Sequence, residues 1–426
     1  MIKEYTFAYG SGSVTFPLEE EQVLGVVTGH AVPPIEDIGA ALRQSLEQPI
    51  GHEPLKGWVR PEHSVLLIVS DMSRFWMRQD LVIPHVTAYL TEECGVAPER
   101  LTILVANGTH IGGDEKELRT LVTDAVYDRF AVVNHDCLRS ETADFGTTSR
   151  GTPVRINALA AKADRIICLG AATHHVMAGY GGGRKSILPG ISSMETICAN
   201  HAHCLAPDRL ASSPEIGNGV TRGNPMNEDM CEAAAMVPNL FMVNLVMNAD
   251  QRLARIVSGH WLTSWEEACR LVNDFYSTPV PEKADVVIAG CGGYPKDMSL
   301  YQGTKTIDNV EPGLKEGGTL ILVIEAREGG GPEEYFGWID SWVDGTMEQR
   351  LRQHFTVPGY IFLLNCEQAM RYRLMLLTSV KQETVAPMGI EAYQDVDALL
   401  KAADLQGKRI YVIPNGATVI PCPPEG

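Results

Sequence analysis

The chain alternates short apolar runs with amphipathic stretches. The runs at 65–70, 101–106, 130–133 and 165–170 are continuous and rich in Val, Ile and Leu. Runs of this kind predict strands buried on both faces of a parallel sheet. Residues 35–48 place apolar positions at helical spacing, and helices are also expected over 78–94, 114–128 and 155–163. Near the start, 5–9 and 13–17 alternate apolar and polar residues around Gly10-Ser11-Gly12, which predicts a hairpin. A Pro-containing polar stretch follows residue 276, and a second strand series is expected at 285–290, 319–325 and 409–413. The fold class is therefore α/β, with two α/β domains built on parallel-rich sheets. The expected division is residues 1–275, a linker at 276–284, and residues 285–426. Residues 327–335 are expected to form a mobile loop.

Composition narrows the function classes. With 35 Lys and Arg against 53 Asp and Glu, the net charge is −18. That argues against nucleic acid and against anionic membrane surfaces as partners, since both reward clusters of cations. No run approaches the ~18 apolar residues of a spanning helix. The N-terminal segment has no apolar core or small-residue cleavage site of a secretory leader. The ten cysteines contain no CxxC pair, so scattered reduced thiols and a cytoplasmic location are expected.

The polar clusters fall at one kind of place. DMSR (71–74) follows the first apolar run, NGTH (107–110) the second, AATHH (171–175) the fourth, and GCGGYPKD (290–297) opens after the run at 285–290. Ligands of open α/β sheets bind at the carboxyl ends of the strands, so this placement points to an enzyme. Asp71 and Arg74 are candidates for carboxylate recognition, or a solvated capping pair. His110 and His175 are candidate acids or bases. The run Gly181-Gly182-Gly183 before Arg184-Lys185 suits close approach to an anion, but lacks the spacing of a Walker loop. His201 and His203 would face different directions on a helix, so one metal ligand is favoured there over a chelating pair. Tyr301 and Lys305 would share a helix face beside Gln302.

Taken together these residues resemble the nickel-pincer lactate racemase family over most of the chain. The most specific element is HxxAGYxGGxK, present from His175 through Ala178-Gly179-Tyr180 and Gly182-Gly183 to Lys185, with His201 following 16 residues later. DxxR (Asp71, Arg74), GTH (108–110) and YQxxK (Tyr301, Gln302, Lys305) also match. The resemblance implies a racemase or epimerase of a 2-hydroxyacid. It implies a nickel-bound pyridinium mononucleotide, carrying a thioamide and a thiocarboxylate, tethered at Lys185 with His201 as the nickel ligand. Asp71, Tyr180, Gly182, Gly183 and Arg184 would surround that cofactor. His110 and His175 would be the acid/base pair. Arg74, Tyr301, Gln302 and Lys305 would bind the substrate, in a cleft between the domains that closes by a hinge at 274–284. Enzymes of cofactor synthesis would be transient partners.

Three positions depart from the family pattern. Phe75 stands where Pro is usual, Ile111 where Arg is usual, and His174 where Pro is usual. The first two put lactate itself in doubt as the substrate. The third leaves His174 as a rival to His175. The competing readings are a metal-dependent hydrolase or lyase acting on a phosphorylated substrate, and a ligand-binding homologue without catalysis.

Overall fold

The structure is a computed structural model describing residues 1–424. It divides into two compact units, named here for their place in the sequence. The central unit comprises Val32–His203 and Glu215–Asp274. The terminal unit comprises Met1–Ala31, Cys204–Pro214 and the chain from Phe275 on.

The central unit is built on a six-stranded sheet. Its order is Leu253–His260, Leu240–Met247, Arg165–Ala172, Val65–Ser70, Leu101–Ala106, Ala131–Asn134. All neighbours are parallel except the edge pair Leu240–Met247 and Leu253–His260. Val65 through Val69 are all buried, as a strand covered on both faces requires. Chain order runs one way from Val65–Ser70 and then returns to its other side with Arg165–Ala172. The topological switch point therefore lies between these two strands, where side chains from both carboxyl ends can meet a ligand. One face of the sheet packs on a core that includes Leu42, Leu46, Val86, Leu90, Leu121 and Phe241.

The terminal unit has its own six-stranded sheet, ordered Glu391–Tyr393, Arg373–Leu377, Leu314–Val323, Ala284–Gly290, Ile410–Ile413, Val23–Val26, and parallel throughout. The hairpin Ile2–Tyr9 and Gly12–Glu19 inserts Phe7 and Phe16 into this unit's core against Val286, Ile288 and Val412. Residues 1–31 were expected with the first domain. They belong instead with the terminal unit, because Val23–Val26 hydrogen-bonds to Ile410–Ile413 and the hairpin's apolar face is buried there. Cys204–Pro214 joins the same unit through Ser212 N to Glu367 Oε1 (2.8 Å) and Arg352 Nη2 to the Ala206 carbonyl (2.7 Å).

The stretch expected as a linker carries regular structure. The helix Thr263–Tyr276 runs directly into Ser277–Pro279, which pairs with Ile420–Cys422. The helix expected over 78–94 is broken into 3-10, α and π segments between Met72 and Glu93, with Arg78 in the left-handed region. No helix among the described residues is long and apolar enough to cross a membrane.

Candidate active site

Two strand ends of the central unit supply an Asp–His dyad. The polypeptide leaves Val65–Ser70 in a 3-10 stretch. Gln79, fully buried, ties it back through Ser70 N to its Oε1 (3.1 Å) and its Nε2 to the Ser70 carbonyl (2.6 Å). After Leu101–Ala106, Asn107 donates to the His135 carbonyl (2.7 Å) and Gly108 N donates to the Gly190 carbonyl (2.9 Å), which pins the loop carrying His110. The two segments meet where Asp71 Oδ2 lies 2.7 Å from His110 Nδ1. Ser73 Oγ donates to Asp71 Oδ1 (2.9 Å) and accepts from Arg74 Nη1 (3.1 Å). Burial alone pushes the Asp71 carboxyl up. The hydrogen bond and charge of His110, the charge of Arg74 and the Ser73 hydroxyl together outweigh it, so Asp71 sits below its ordinary value. The dyad borders a cavity of ≈ 220 Å³ whose walls include Met72, Val105, Ile111 and Leu121. The aliphatic side chain of Ile111 is 97% exposed, so it presents an apolar surface beside His110.

A third strand end brings His175, Lys185 and His201 into one neighbourhood. Beyond Arg165–Ala172 the chain makes a two-residue ladder, His174 opposite Tyr180 and His175 opposite Gly179. Gly179 has φ +73°, and a Cβ there would strike the Val220 carbonyl, so the turn admits only glycine. His175 Nδ1 accepts from Met177 N (3.2 Å) and Ala178 N (3.1 Å), and its Nε2 lies 2.9 Å from Lys185 Nζ. His174 has a different setting. Its ring lies against Tyr180 and its Nε2 contacts Asn273 Oδ1 (2.9 Å), and burial pushes its imidazolium down to about 4. Of the two histidines, the one beside the lysine amine is His175.

His201 closes the helix Met194–His201, which Ser193 caps at its start. Its Nδ1 donates to the Ile197 carbonyl (2.9 Å). That places the proton of the neutral ring on Nδ1 and its lone pair on Nε2. Burial, followed by the charge of Lys185, pushes its imidazolium down to about 3, so the ring is neutral, as a metal ligand must be. His203 does not share that setting. It lies with Thr152 and the fully buried Asp229, and Asp229 also accepts from Thr148, Thr152 and Asn200. Among the described residues no group of three or more His, Cys, Asp or Glu is placed to hold a metal.

Three glycine-loop residues expected to touch a cofactor also pack within the protein. Arg184 is fully buried and stacks on Trp265 at 3.9 Å. It donates to the carbonyls of Ala178 (2.7 Å) and Tyr180 (2.9 Å) and to Asn227 (2.9 Å). With its donors spent internally, it fastens the loop rather than offering a cation to an anion. A Cβ at Gly182 would lie 2.8 Å from the Ala171 carbonyl oxygen, and one at Gly183 would lie 2.5 Å from the Trp265 ring. Both positions therefore require glycine for the loop to pack against Ala171 and Trp265. Tyr180 is likewise buried, between His174 and Trp265.

In the terminal unit, Tyr301 and Gln302 lie on the helix Leu300–Gly303, and Lys305 caps the next helix, Thr306–Val310. The single helix expected there is interrupted, yet the three side chains still meet. Lys305 Nζ donates to Gln302 Oε1 (3.0 Å) and lies 4.2 Å from the centre of the Tyr301 ring. Sequence reasoning missed Gln79, Asn273 and Asp229, which carry no motif. It also missed Ser73, although that residue lies inside DMSR.

Residues 9–212 match the description "Lactate racemase N-terminal domain", and residues 280–421 match "Lactate racemase C-terminal domain". The chain belongs to the lactate racemase family. It is an isomerase of the racemase class. The lactate racemase of Thermoanaerobacterium thermosaccharolyticum is 28% identical over 427 residues, covering 97% of both chains. That of Lactiplantibacillus plantarum is 27% identical, covering 97% of this chain and 98% of its own. The solved lactate racemase apoprotein from T. thermosaccharolyticum superposes with a TM-score of 0.88 at 27% identity, covering 98% of this chain and all of its own. A Thermotoga maritima protein at 17% identity and TM-score 0.63 shares the fold.

Proposed function

We propose that this racemase interconverts the configurations of a 2-hydroxyacid, lactate or a related 2-hydroxycarboxylate, using a nickel-pincer pyridinium mononucleotide tethered at Lys185. The observation that carries the reading is the grouping of Lys185 with His175 and a neutral, tautomer-fixed His201. The donor set fits the group. A pincer ligand fills three metal positions itself, so one protein imidazole completes the site. When bound, the group would accept hydride from Cα of the substrate and return it.

The chain's own residues handle the rest. Asp71 holds His110 with its Nδ1 protonated, so Nε2 is free to take the hydroxyl proton. His175 is the second histidine proposed to serve the reacting oxygen. Arg74 suits the substrate carboxylate, since a guanidinium pairs with it bidentately. Tyr301, Gln302 and Lys305 are proposed to bind the substrate too, with Lys305 supplying positive charge. Ile111 gives the dyad's cavity an apolar wall and favours substrates with an apolar side chain. A cytoplasmic location is part of the proposal, since all ten cysteines are free thiols.

The test is intact mass, peptide mapping and nickel content of the protein after co-production with the pincer-synthesis enzymes. A mononucleotide-sized adduct on Lys185, with about one nickel that His201→Ala removes, supports the reading. No adduct, from a host that loads a known racemase, would overturn it.

A further inference from the structure

We propose that the terminal unit carries a second binding site, for a small oxyanion, built from the Gly292–Gly293 backbone, Lys296 and Asn415. None of these residues is assigned to cofactor or substrate above, and the site stands independently of that reading.

Topology supplies the place. Chain order in this sheet runs outward from Ala284–Gly290 through Leu314–Val323, Arg373–Leu377 and Glu391–Tyr393. It then returns to the other side of Ala284–Gly290 with Ile410–Ile413. The switch point of the terminal sheet therefore lies between Ala284–Gly290 and Ile410–Ile413, at whose carboxyl ends ligands of open α/β sheets bind. One loop leaving there is Cys291-Gly292-Gly293, from the GCGGYPKD cluster. The other is Pro414-Asn415-Gly416. Both are anchored to the segment that follows the cluster. Cys291 Sγ donates to the Gly303 carbonyl (3.4 Å), and Asn309 Nδ2 donates to the Gly416 carbonyl (3.0 Å).

The two loops and Lys296 converge on Gly292. A Cβ there would lie 3.7 Å from both Asn415 Oδ1 and Lys296 Cδ, at a residue with φ +95°. Glycine keeps that gap open between the two side chains. Among the described residues, neither the Gly292 N–H nor the Gly293 N–H meets an acceptor, and the exposed Asn415 amide has no partner.

Lys296 decides the sign of the ligand. Its side chain is partly buried, and among the described residues its ammonium makes no hydrogen bond or ion pair. Cys291 is the one titratable group whose charge acts on it, and burial pushes that thiol up to about 12, so it is uncharged at neutral pH. Asp297, next in the chain, is committed elsewhere. Its Oδ2 accepts from Gly10 N (2.7 Å) and Glu325 N (3.3 Å), and Glu325 pairs with Arg327 (2.8 Å). Burial pushes Lys296 down to about 8, which leaves it mostly charged at pH 7. Charges withdrawn from water are ordinarily paired. One chemistry satisfies all of these groups together. An oxyanion pairs with the ammonium and accepts from the two backbone N–H groups and the Asn415 amide.

The test follows the Lys296 signal in the full chain carrying ¹³Cε-labelled lysine, assigned with Lys296→Met, at pH 7 and constant ionic strength. The probes are sulfate and lactate, with chloride as the control. The expected result is saturable movement with a dissociation constant of about 1 mM. Saturation by sulfate alone assigns a tetrahedral oxyanion, and saturation by lactate assigns a carboxylate; either supports the site. Asn415→Ala, at an exposed position, is expected to weaken binding about fivefold through one lost hydrogen bond. No saturation by either probe up to about 50 mM overturns the proposal. So does movement that chloride reproduces, or an affinity that Asn415→Ala leaves unchanged.

Discussion

Asp71→Asn should separate the dyad from every other part of the site. The parent carboxylate accepts from two donors, His110 Nδ1 at 2.7 Å and Ser73 Oγ at 2.9 Å, one on each oxygen. An amide has one oxygen. If it serves Ser73, the NH₂ faces His110 and drives the ring to the tautomer with its proton on Nε2, which removes the base. If it serves His110, the tautomer survives but the imidazolium loses its counter-charge, and the NH₂ is set against a hydroxyl already accepting from Arg74. In a buried Ser-His-Asp site the same substitution costs about 10⁴ in kcat through the wrong tautomer. The Asp71 side chain is 12% exposed, so water offers partial relief. A loss of about 10³ is expected, equivalent to roughly 4 kcal/mol of barrier. The assay is the initial rate from each enantiomer by chiral chromatography on cofactor-loaded protein, with adduct mass and nickel measured on the same sample. A rate within tenfold of the parent at equal loading would refute the dyad's role.

Two further outcomes are expected. Gly183→Ala places a Cβ 2.5 Å from the Trp265 ring at a residue with φ +53°, and should cost about 3 kcal/mol; an unchanged thermal midpoint would mean the loop does not rest on Trp265. Burial, with Glu311 adding its charge, pushes Asp308 up to about 8. Between its unfolded value of about 3.9 and about 8, the folded state binds a proton that the unfolded state has released, so this group's contribution to stability falls as pH rises through that window. Asp308→Asn should flatten the decline between pH 5 and pH 8.5 in thermal melts, and an identical slope in both proteins would show that Asp308 ionises normally.

Most of the central sheet was legible because fully buried parallel strands read as unbroken apolar runs, as at Val65–Ser70, Leu101–Ala106 and Arg165–Ala172. Leu240–Met247 is just as buried but was not read as a strand. Asn244 interrupts its pattern, and its Nδ2 finds partners only elsewhere, in the Val257 carbonyl and Ser264 Oγ. The candidate site residues stood out through their clustering at strand ends. Their settings were not, because those depend on distant contacts. Nothing near Arg184 announces Trp265, 81 positions on, and a buried guanidinium and an anion-binding one look the same in one dimension. The choice between His174 and His175 likewise turns on Asn273, far along the chain.

The pairing of Val23–Val26 with Ile410–Ile413 sets an order of events during synthesis. The hairpin bearing Phe7 and Phe16 is made well before the strands it packs against, which come about 270 residues later, and the strand that Val23–Val26 joins comes later still. At about 5–20 residues per second, the wait for Ile410 is roughly 20–80 s. The central unit can be complete by then, since its last strand ends at His260 and its last helix at Tyr276. The hairpin and Val23–Val26 are thus held as an open apolar flap until Ile410–Ile413 is made. Translation that stalls shortly before Ile410 would release a folded central unit trailing an unpaired, aggregation-prone flap.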